Sequence, residues 1–320
     1  MSAPLPPAEL AAYILGYEDT TGVLEAYVEQ GERIAAAIER LLGPEWSWQG
    51  KRVLDFGCGA ARVLRQFLDR AGEAELHGVE LDESCVAWIG ANLSPPLRVI
   101  RGTELPPLPY PEAHFDLIWS TSVFSHLADS WSAWLLELRR LLKPDGIAVV
   151  SVIGAACSQA IAYEEWDPDR IGMTVLGYGR PWRAGGPMIL HSEWWIRAHW
   201  GRAFTVAAFE ERGIEGQDAV VLRRDQRPAP SIAQLDAPQP DDPRELVAAR
   251  HAVELLHREH AALNRQHDEY AQAYIVEARN HAATTARVAA LETELQHVQD
   301  RAARGLAHRM MTNLRRRLSG

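Results

Sequence analysis

The chain has 320 residues, of which 47% are hydrophobic and 24% charged, a composition typical of a packed soluble protein and not of a disordered one. The formal net charge of −10 speaks against a general nucleic-acid binder, because such proteins usually carry a basic face. Three cysteines are too few for a disulfide framework or a zinc cluster, which makes a reducing cytosol the expected compartment. No run of about 18 apolar residues occurs, so we expect no membrane span. Because the cysteines are few and scattered, we also expect no metal site.

From the N-terminus to residue 225, short apolar runs alternate with helical patterns. The apolar runs predict strands at about 52–56, 75–81, 97–101, 115–120, 146–153, 204–210 and 218–224. The helical patterns lie at about 24–42, 60–71, 83–92 and 125–142. Strands that alternate with helices favour a parallel sheet with helices on both faces, so the predicted fold class is α/β.

A glycine-rich turn follows the first predicted strand, in the sequence VLDFGCG over residues 53–59. Gly57 and Gly59 let the backbone approach a ligand closely, and the N–H groups of the next helix suit a carboxylate. In a parallel sheet this turn lies at the carboxyl edge of the strands, where ligands bind. Glu80 ends the next strand, in a βαβ unit of about 30 residues, where a carboxylate can accept both hydroxyls of a ribose.

Four segments match one family in order: VLDFGCGAAR, GVELD, a proline-rich loop that continues into PPLPYPEAHFDLIWSTSVFSHL, and LLKPDG. Over roughly residues 13–224 the chain resembles a class I S-adenosylmethionine-dependent methyltransferase. The resemblance implies a seven-stranded Rossmann-like sheet whose last strand is inserted antiparallel. A dinucleotide-binding site fits less well, because such sites usually need a third glycine and Arg62 stands in its place.

The resemblance also implies that S-adenosylmethionine is the cofactor and assigns residues to its parts. Asp55 would hold the ammonium group of the methionine moiety, with Gly57 and Gly59 beneath it, and Glu80 would bind the ribose. The alternatives are that Asp55 caps a turn and that Glu80 is an ordinary surface acid.

Further contacts with the cofactor follow from the same resemblance. The loop after the third strand would approach the adenine through Thr103 or Glu104, and ordinary loop polarity is the alternative for Glu104. Ser120, at the end of the fourth strand, would lie near the methionine part. The N-terminal residues 1–45 would form a helical lid over the cofactor, with Tyr17 as the contact.

Two histidines are candidates for the catalytic base. His126 follows the fourth strand near the catalytic edge, where a neutral imidazole can deprotonate a hydroxyl. Its alternative role is to hydrogen-bond the backbone at a helix start. His191 lies in an insertion over residues 155–203, but His191-Ser192-Glu193 also resembles a helix start with a serine cap.

The insertion is rich in aromatic and arginine side chains, a combination that suits a sugar ring or an anionic group. Its members are Tyr163, Trp166, Arg170, Tyr178, Arg180, Trp182, Arg183, Trp194, Trp195 and Trp200. The alternative is that Trp194, Trp195 and Trp200 anchor a helix to the sheet. We therefore expect O-methylation of a sugar, a glycan or a small-molecule hydroxyl; the competing hypothesis is a catalytically degenerate scaffold that binds partners through its tail.

Residues 226–243 are rich in proline and predict an extended linker after the 1–225 methyltransferase domain. From residue 244 a seven-residue repeat begins, with Leu246 as position a and Ala249 as position d. It predicts a helix over 244–320 that joins identical chains as a coiled coil through residues 244–305; a helical hairpin is the alternative. Residues 301–320 hold six arginines and no acid, which is compatible with an anionic membrane surface or an acidic partner. The expected location is cytoplasmic, peripheral to the inner membrane face.

Overall fold

Seven strands form one mixed sheet in a computed structural model that describes residues 3–162, 166–181 and 185–318. These strands are β1 (Arg52–Phe56), β2 (Glu75–Glu80), β3 (Arg98–Arg101), β4 (Phe115–Ser120), β5 (Leu142–Val152), β8 (Thr205–Ile214) and β9 (Gln217–Arg223). Their order is β3-β2-β1-β4-β5-β9-β8, in which β1 to β5 are parallel. β9 lies antiparallel between β5 and β8, as the family resemblance predicts. A separate two-stranded sheet pairs β6 (Thr174–Leu176) with β7 (Met188–Leu190).

The helices differ from the predicted ones mainly at their starts. They are α1 (Ala8–Leu15), α2 (Val23–Leu42), α3 (Glu83–Asn92), α4 (Trp131–Leu141), α5 (Ala155–Ala162), α6 (Glu193–His199), α7 (Ile232–Asp236) and α8 (Pro243–Leu318). The helix predicted over 60–71 is instead a 3₁₀ helix, Leu64–Gly72. The left-handed backbone of Ala61, with φ of 63°, prevents an earlier helical start.

Helices cover both faces of the sheet because neighbouring strand residues point in opposite directions. On β1, Val53 faces a cluster formed with α2, α3 and the 3₁₀ helix, which contribute Ile38, Ile89 and Phe67. Leu54 faces the other cluster, to which α4, α6 and α7 contribute buried side chains such as Trp134, Ile196 and Leu235. The sheet is therefore the middle of three layers, and its carboxyl edge remains the place for a site.

The proline-rich segment is not an extended linker as predicted. It contains α7, whose Ser231 and Gln234 form a reciprocal capping box. Leu235 of α7 is fully buried in the core of the sheet's α4 face. The prediction was wrong here because the prolines flank α7 on both sides instead of interrupting it.

Contacts divide the chain into two compact units, Met1–Leu256 and His257–Gly320. α8 is one continuous helix, so the predicted hairpin alternative is wrong. No helix within the described ranges is both long and apolar enough to cross a membrane. The side chains of the basic end, residues 301–320, lie outside the described ones, so its role stays a prediction.

Candidate active site

The carboxyl ends of β1, β2 and β4 meet at one edge of the sheet, because the three strands are parallel neighbours. The turn after β1 crosses the end of β2, where the N–H groups of Gly57 and Cys58 donate to the Val79 carbonyl at 2.9 and 3.1 Å. The edge thus brings together Asp55, the glycine turn, Glu80 and Ser120, as the sequence predicts for strand-end residues.

The glycine turn is tightly enclosed. Gly57 and Gly59 both have left-handed backbones, with φ of 82° and 53°. A Cβ atom on Gly57 would lie 2.4 Å from Cγ2 of Val123, and one on Gly59 would lie 2.8 Å from Cδ1 of Ile14. The turn therefore lies between α1 on one side and the loop after β4 on the other, and both positions require glycine.

Glu80 faces the glycine turn and not open solvent. Its Oε2 accepts the N–H of Gly59 at 2.8 Å, and its Oε1 accepts the N–H groups of Leu81 and Asp82 at 2.6 and 2.9 Å. A carboxylate offers about four acceptor positions, so roughly one remains for a ligand hydroxyl. This geometry disagrees with the surface-acid alternative, and it leaves less capacity than two ribose hydroxyls would need.

Asp55 is a buried carboxylate with unused bonding capacity. It is 2% exposed, and its Oδ2 has no hydrogen-bond partner among the described residues. Burial raises the pKa of Asp55 to about 7, because desolvation disfavours the charged form. The buried hydroxyls of Ser120 and Thr121, at the end of the adjacent strand, likewise lack a partner in the described part of the chain. An acid and two hydroxyls fit the ammonium and carboxylate groups of a methionine moiety.

The predicted adenine contacts lie in the loop after β3, close to this edge. The N–H of Gly102, which follows β3, donates to the Glu80 carbonyl at 2.8 Å. Thr103 and Glu104 are both exposed, and the Thr103 hydroxyl donates to the Leu105 carbonyl at 2.7 Å. The loop therefore reaches the edge, and which of the two side chains contacts a ligand stays open.

The N-terminal helix α1 packs over the glycine turn and carries Tyr13, a side chain that is 64% exposed. Tyr17, the predicted contact, follows the end of α1 and is half exposed. The pKa of the Tyr13 phenol is raised by burial and by the carboxylates of Asp82 and Glu80. Tyr13 thus lies nearer the acidic end of β2. The only sequence signal for Tyr13 is that it precedes Ile14, and interpreting that signal requires knowing where α1 ends.

His126 is oriented by a backbone carbonyl. Its Nδ1 lies 2.7 Å from the carbonyl oxygen of Pro187. Because a carbonyl only accepts, Nδ1 carries the proton and the lone pair of the neutral ring is on Nε2. Burial lowers the pKa of His126, so the ring is neutral at pH 7. A neutral, oriented imidazole has the properties of a general base, although the same bond fits the structural alternative.

His191 is a core residue, which disagrees with its selection as a catalytic candidate. It is fully buried, and its ring packs against Trp195 and Trp200 at centroid distances of 5.7 and 5.6 Å. Burial lowers the pKa of His191 to about 3, so the ring stays neutral. A ring without exposed surface does not reach an acceptor in this conformation.

The insertion uses most of its described aromatic residues for packing. Trp166, Trp195 and Trp200 are buried, which fits the alternative that they anchor the fold. Tyr178 is exposed, and its hydroxyl donates to Oδ2 of Asp129 at 2.7 Å. Arg170 and Arg180 are also exposed. Tyr163, Trp182 and Arg183 lie outside the described residues.

A polar triangle that the sequence analysis missed fixes the loop after β4. The N–H of Ser122 donates to Oγ of Ser151 at 2.8 Å, and that hydroxyl donates to Oε1 of Gln217 at 2.7 Å. Nε2 of Gln217 donates back to the Ser122 hydroxyl at 2.8 Å. The triangle joins β4, β5 and β9 at the edge that carries the candidate site. No local sequence signal predicts it, because its members are up to 95 residues apart.

Comparisons with known proteins agree with this geometry. A family model described as "Methyltransferase domain" matches residues 26–185, half of the chain. The ubiquinone biosynthesis O-methyltransferase of Cereibacter sphaeroides is 33% identical over 140 residues, 42% of this chain and 56% of that protein. The malonyl-[acyl-carrier protein] O-methyltransferase of Halorhodospira halophila is 34% identical over 110 residues, 32% of this chain and 35% of that protein.

A solved complex between the Haloferax volcanii Trm112 methyltransferase activator and a methyltransferase shares the fold. It has 16% identity and a TM-score of 0.50, and the match covers 69% of this chain and 100% of that chain.

The chain belongs to the class I S-adenosylmethionine-dependent methyltransferases, and S-adenosylmethionine is its cofactor. It spans about half the length, or less, of the curated relatives it matches. The residues that fit this cofactor are the buried acid, the glycine turn and the two hydroxyls that have no partner in the described part of the chain.

Proposed function

We propose that this methyltransferase acts on a hydroxyl oxygen, with a sugar, a glycan or another small molecule as the acceptor. The observation that carries the proposal is the contact of 2.7 Å between Nδ1 of His126 and the Pro187 carbonyl, which orients the ring after β4. Two relatives that match the chain are named O-methyltransferases, which supports transfer to oxygen. When bound, S-adenosylmethionine would supply an activated methyl group on a sulfonium, with the neutral thioether S-adenosylhomocysteine as the leaving group.

The residues of the chain bind and orient the reactants. Asp55 holds the ammonium group, Ser120 lies beside the methionine part, and Glu80 offers its remaining acceptor position to the ribose. The loop at Thr103 and Glu104 approaches the adenine. Val123 and the glycine turn keep water from the reacting atoms. The binding residues hold the reactants in position, which is most of what methyl transfer requires.

His126 then acts as the base in this proposal. Its Nε2 takes the proton of the acceptor hydroxyl as the oxygen attacks the methyl group, while Nδ1 stays bonded to the Pro187 carbonyl. Tyr178 supports a sugar as the acceptor, because an exposed ring beside the Asp129 carboxylate can stack on a sugar and bond its hydroxyls. Arg180 adds an exposed cation for an anionic group on the acceptor.

Calorimetric titration with S-adenosylhomocysteine tests the cofactor site. We expect binding by the full chain and at least tenfold weaker binding by Glu80→Ala, because the glycine turn loses its anchor. Glu83→Ala is the matched control, since the Glu83 carboxylate bonds Arg101 on the exposed surface. Absence of binding to the full chain would favour the scaffold hypothesis.

Transfer of a labelled methyl group to a panel of glycans and small hydroxyl compounds tests the acceptor class. Labelling of a sugar hydroxyl supports the proposal. Labelling only of amines or carboxylates contradicts it, whereas cofactor binding without any transfer supports the scaffold.

The remaining proposals concern location and partners. We propose that residues 244–305 join identical chains. We also propose that the arginine-rich end holds the protein at the cytoplasmic membrane face or on an acidic partner. The support is the heptad repeat and the six arginines of residues 301–320.

A further inference from the structure

The described part of α8 has two distinct apolar faces. Ala248 and Leu255 are buried within the first unit. The second face is an exposed stripe, made of Leu246, Val253, Leu256, Leu263, Tyr270, Tyr274, Val288 and Leu291, each at least 44% exposed. These residues all fall on the a and d positions of the heptad repeat that starts at Leu246. The stripe is therefore separate from the face that packs within the first unit.

The length and charge of the stripe favour another helix as its occupant. From residue 267 to residue 291 it extends for about 36 Å at 1.5 Å per residue, which is within the three to four heptads that define a coiled coil. Between residues 244 and 292 the chain carries six arginines and seven acids. A mixed surface of this kind suits a protein partner and not an anionic membrane.

Two polar residues occupy neighbouring a and d positions between Tyr274 and Val288, and they decide the orientation of the partner helix. Glu277 is at a d position and His281 at the next a position, and both side chains are exposed. In a parallel pair of identical helices d faces d, so the two Glu277 carboxylates would oppose each other within the seam. In an antiparallel pair a faces d, so each carboxylate faces an imidazole of the other helix. Pairing of a carboxylate with an imidazole avoids burying two carboxylates together.

We infer that α8 pairs antiparallel with α8 of a second copy of this chain, with the two-fold axis near Arg279. In this register Val288 faces Tyr270 and Tyr274 faces Thr284, while the ring of His267 packs beside Leu291. The inference deepens the proposed self-association and is independent of the methyl transfer.

A spin-label distance measurement tests the orientation in the full-length protein. Asn264→Cys carries the label in a Cys157→Ser background, because Cys58 and Cys85 are buried. Position 264 is 15 residues from the axis, so the antiparallel pair predicts a label separation of about 45 Å. A separation under 20 Å means a parallel pair and overturns the inference.

A charge substitution tests the polar layer by light scattering. His281→Glu places four carboxylates around the axis, so we expect at least tenfold weaker self-association. Arg279→Glu adds a carboxylate at the outer f position and should leave the dimer mass unchanged. The double variant Glu277→His with His281→Glu restores a carboxylate facing an imidazole and should restore the dimer.

A monomeric or trimeric parent chain, or an unaffected His281→Glu dimer, overturns the inference. S-adenosylhomocysteine binding is measured on the same samples, so a failure of the proposed catalysis is seen separately.

Discussion

In the proposed mechanism Asp55 binds the ammonium group and His126 is the base, and burial shifts the pKa of both side chains. Desolvation raises the pKa of the Asp55 carboxyl to about 7 and lowers that of the His126 imidazole. The acid is therefore poised between its two protonation states near neutral pH, while the base is already neutral. Each shift has a consequence for binding or rate that can be measured.

Asp55→Asn should separate cofactor binding from stability. In the parent chain the charged carboxylate binds an ammonium group best, so affinity for S-adenosylhomocysteine should rise about tenfold between pH 6 and pH 8. Folded Asp55 holds its proton up to about pH 7, so its contribution to the free energy of unfolding is lost as the pH rises from 3.8 to 7. The Asn variant should bind weakly at every pH and lose that decline in stability. Calorimetry and thermal unfolding measure both, and a parent chain with pH-independent affinity contradicts the proposal.

His126→Asn should slow catalysis without weakening cofactor binding. The amide can still donate to the Pro187 carbonyl but is not a base, so kcat should fall about 10²- to 10⁴-fold. Because burial lowers the pKa of His126, the acid limb of the parent rate profile should lie below pH 6.5. The measurement is labelled methyl transfer to an acceptor from the panel. An unchanged kcat would make His126 a structural residue.

The places of individual residues were predictable where the order of the strands alone determines them. Asp55, Glu80 and Ser120 end parallel neighbouring strands, so their common edge follows from the strand order. Tyr13 and His191 could not be assigned in this way. Their surroundings depend on the end of α1 and on tryptophan packing inside the insertion, neither of which has a local sequence signal.

At the scale of elements, a close contact joins the segment after β5 to the start of β9. A Cβ atom on Gly154, just after β5, would lie 1.7 Å from Oδ2 of Asp218 on β9. The other oxygen of that buried carboxylate accepts the N–H of Arg212 at 2.9 Å, so the side chain cannot simply move away. Burial raises the pKa of Asp218. Glycine is thus required here for space, although its backbone is not left-handed.

Gly154→Ala should destabilise the fold by about 2 kcal/mol or more, as overpacking does elsewhere. Gly201→Ala is the control, because nothing lies within 4 Å of a Cβ atom there. Chemical denaturation of the two variants measures the difference. Equal stabilities would mean that the Asp218 side chain can move aside without cost.

Elements themselves were largely predictable. The seven strands of the main sheet lie close to their predicted positions, because buried parallel strands form short apolar runs bounded by turns. The 3₁₀ helix and α7 were not predictable from periodicity. The left-handed backbone of Ala61 delays the start of the first, and burial of one leucine stabilises the second.

For the whole molecule, the main correction concerns where the first unit ends. Beyond residue 225 the chain still contributes Leu235 to the core. It also supplies Glu245, whose Oε1 lies 3.0 Å from Nε2 of the buried His199. The proline count predicted a break, whereas tertiary packing continued the first unit to Leu256.

A chain that ends at residue 225 should therefore be less stable than one that ends at residue 256. Loss of Leu235 alone corresponds to about 2–5 kcal/mol for a buried leucine. Thermal unfolding of both truncated chains measures the difference, with Ile232→Ala in the longer chain as a control, because Ile232 is half exposed. Equal melting temperatures would return the boundary to the proline-rich segment.

The enclosure of the glycine turn affects how fast a nucleoside can enter. Ile14 lies against Gly59 and Val123 against Gly57, so these side chains have to move before a ligand touches the backbone there. Association then contains a unimolecular step, and its observed rate reaches a ceiling at high ligand concentration instead of rising without limit. The stability with which α1 packs on the chain would set that ceiling, which makes the N-terminal helix a determinant of kinetics as well as of affinity.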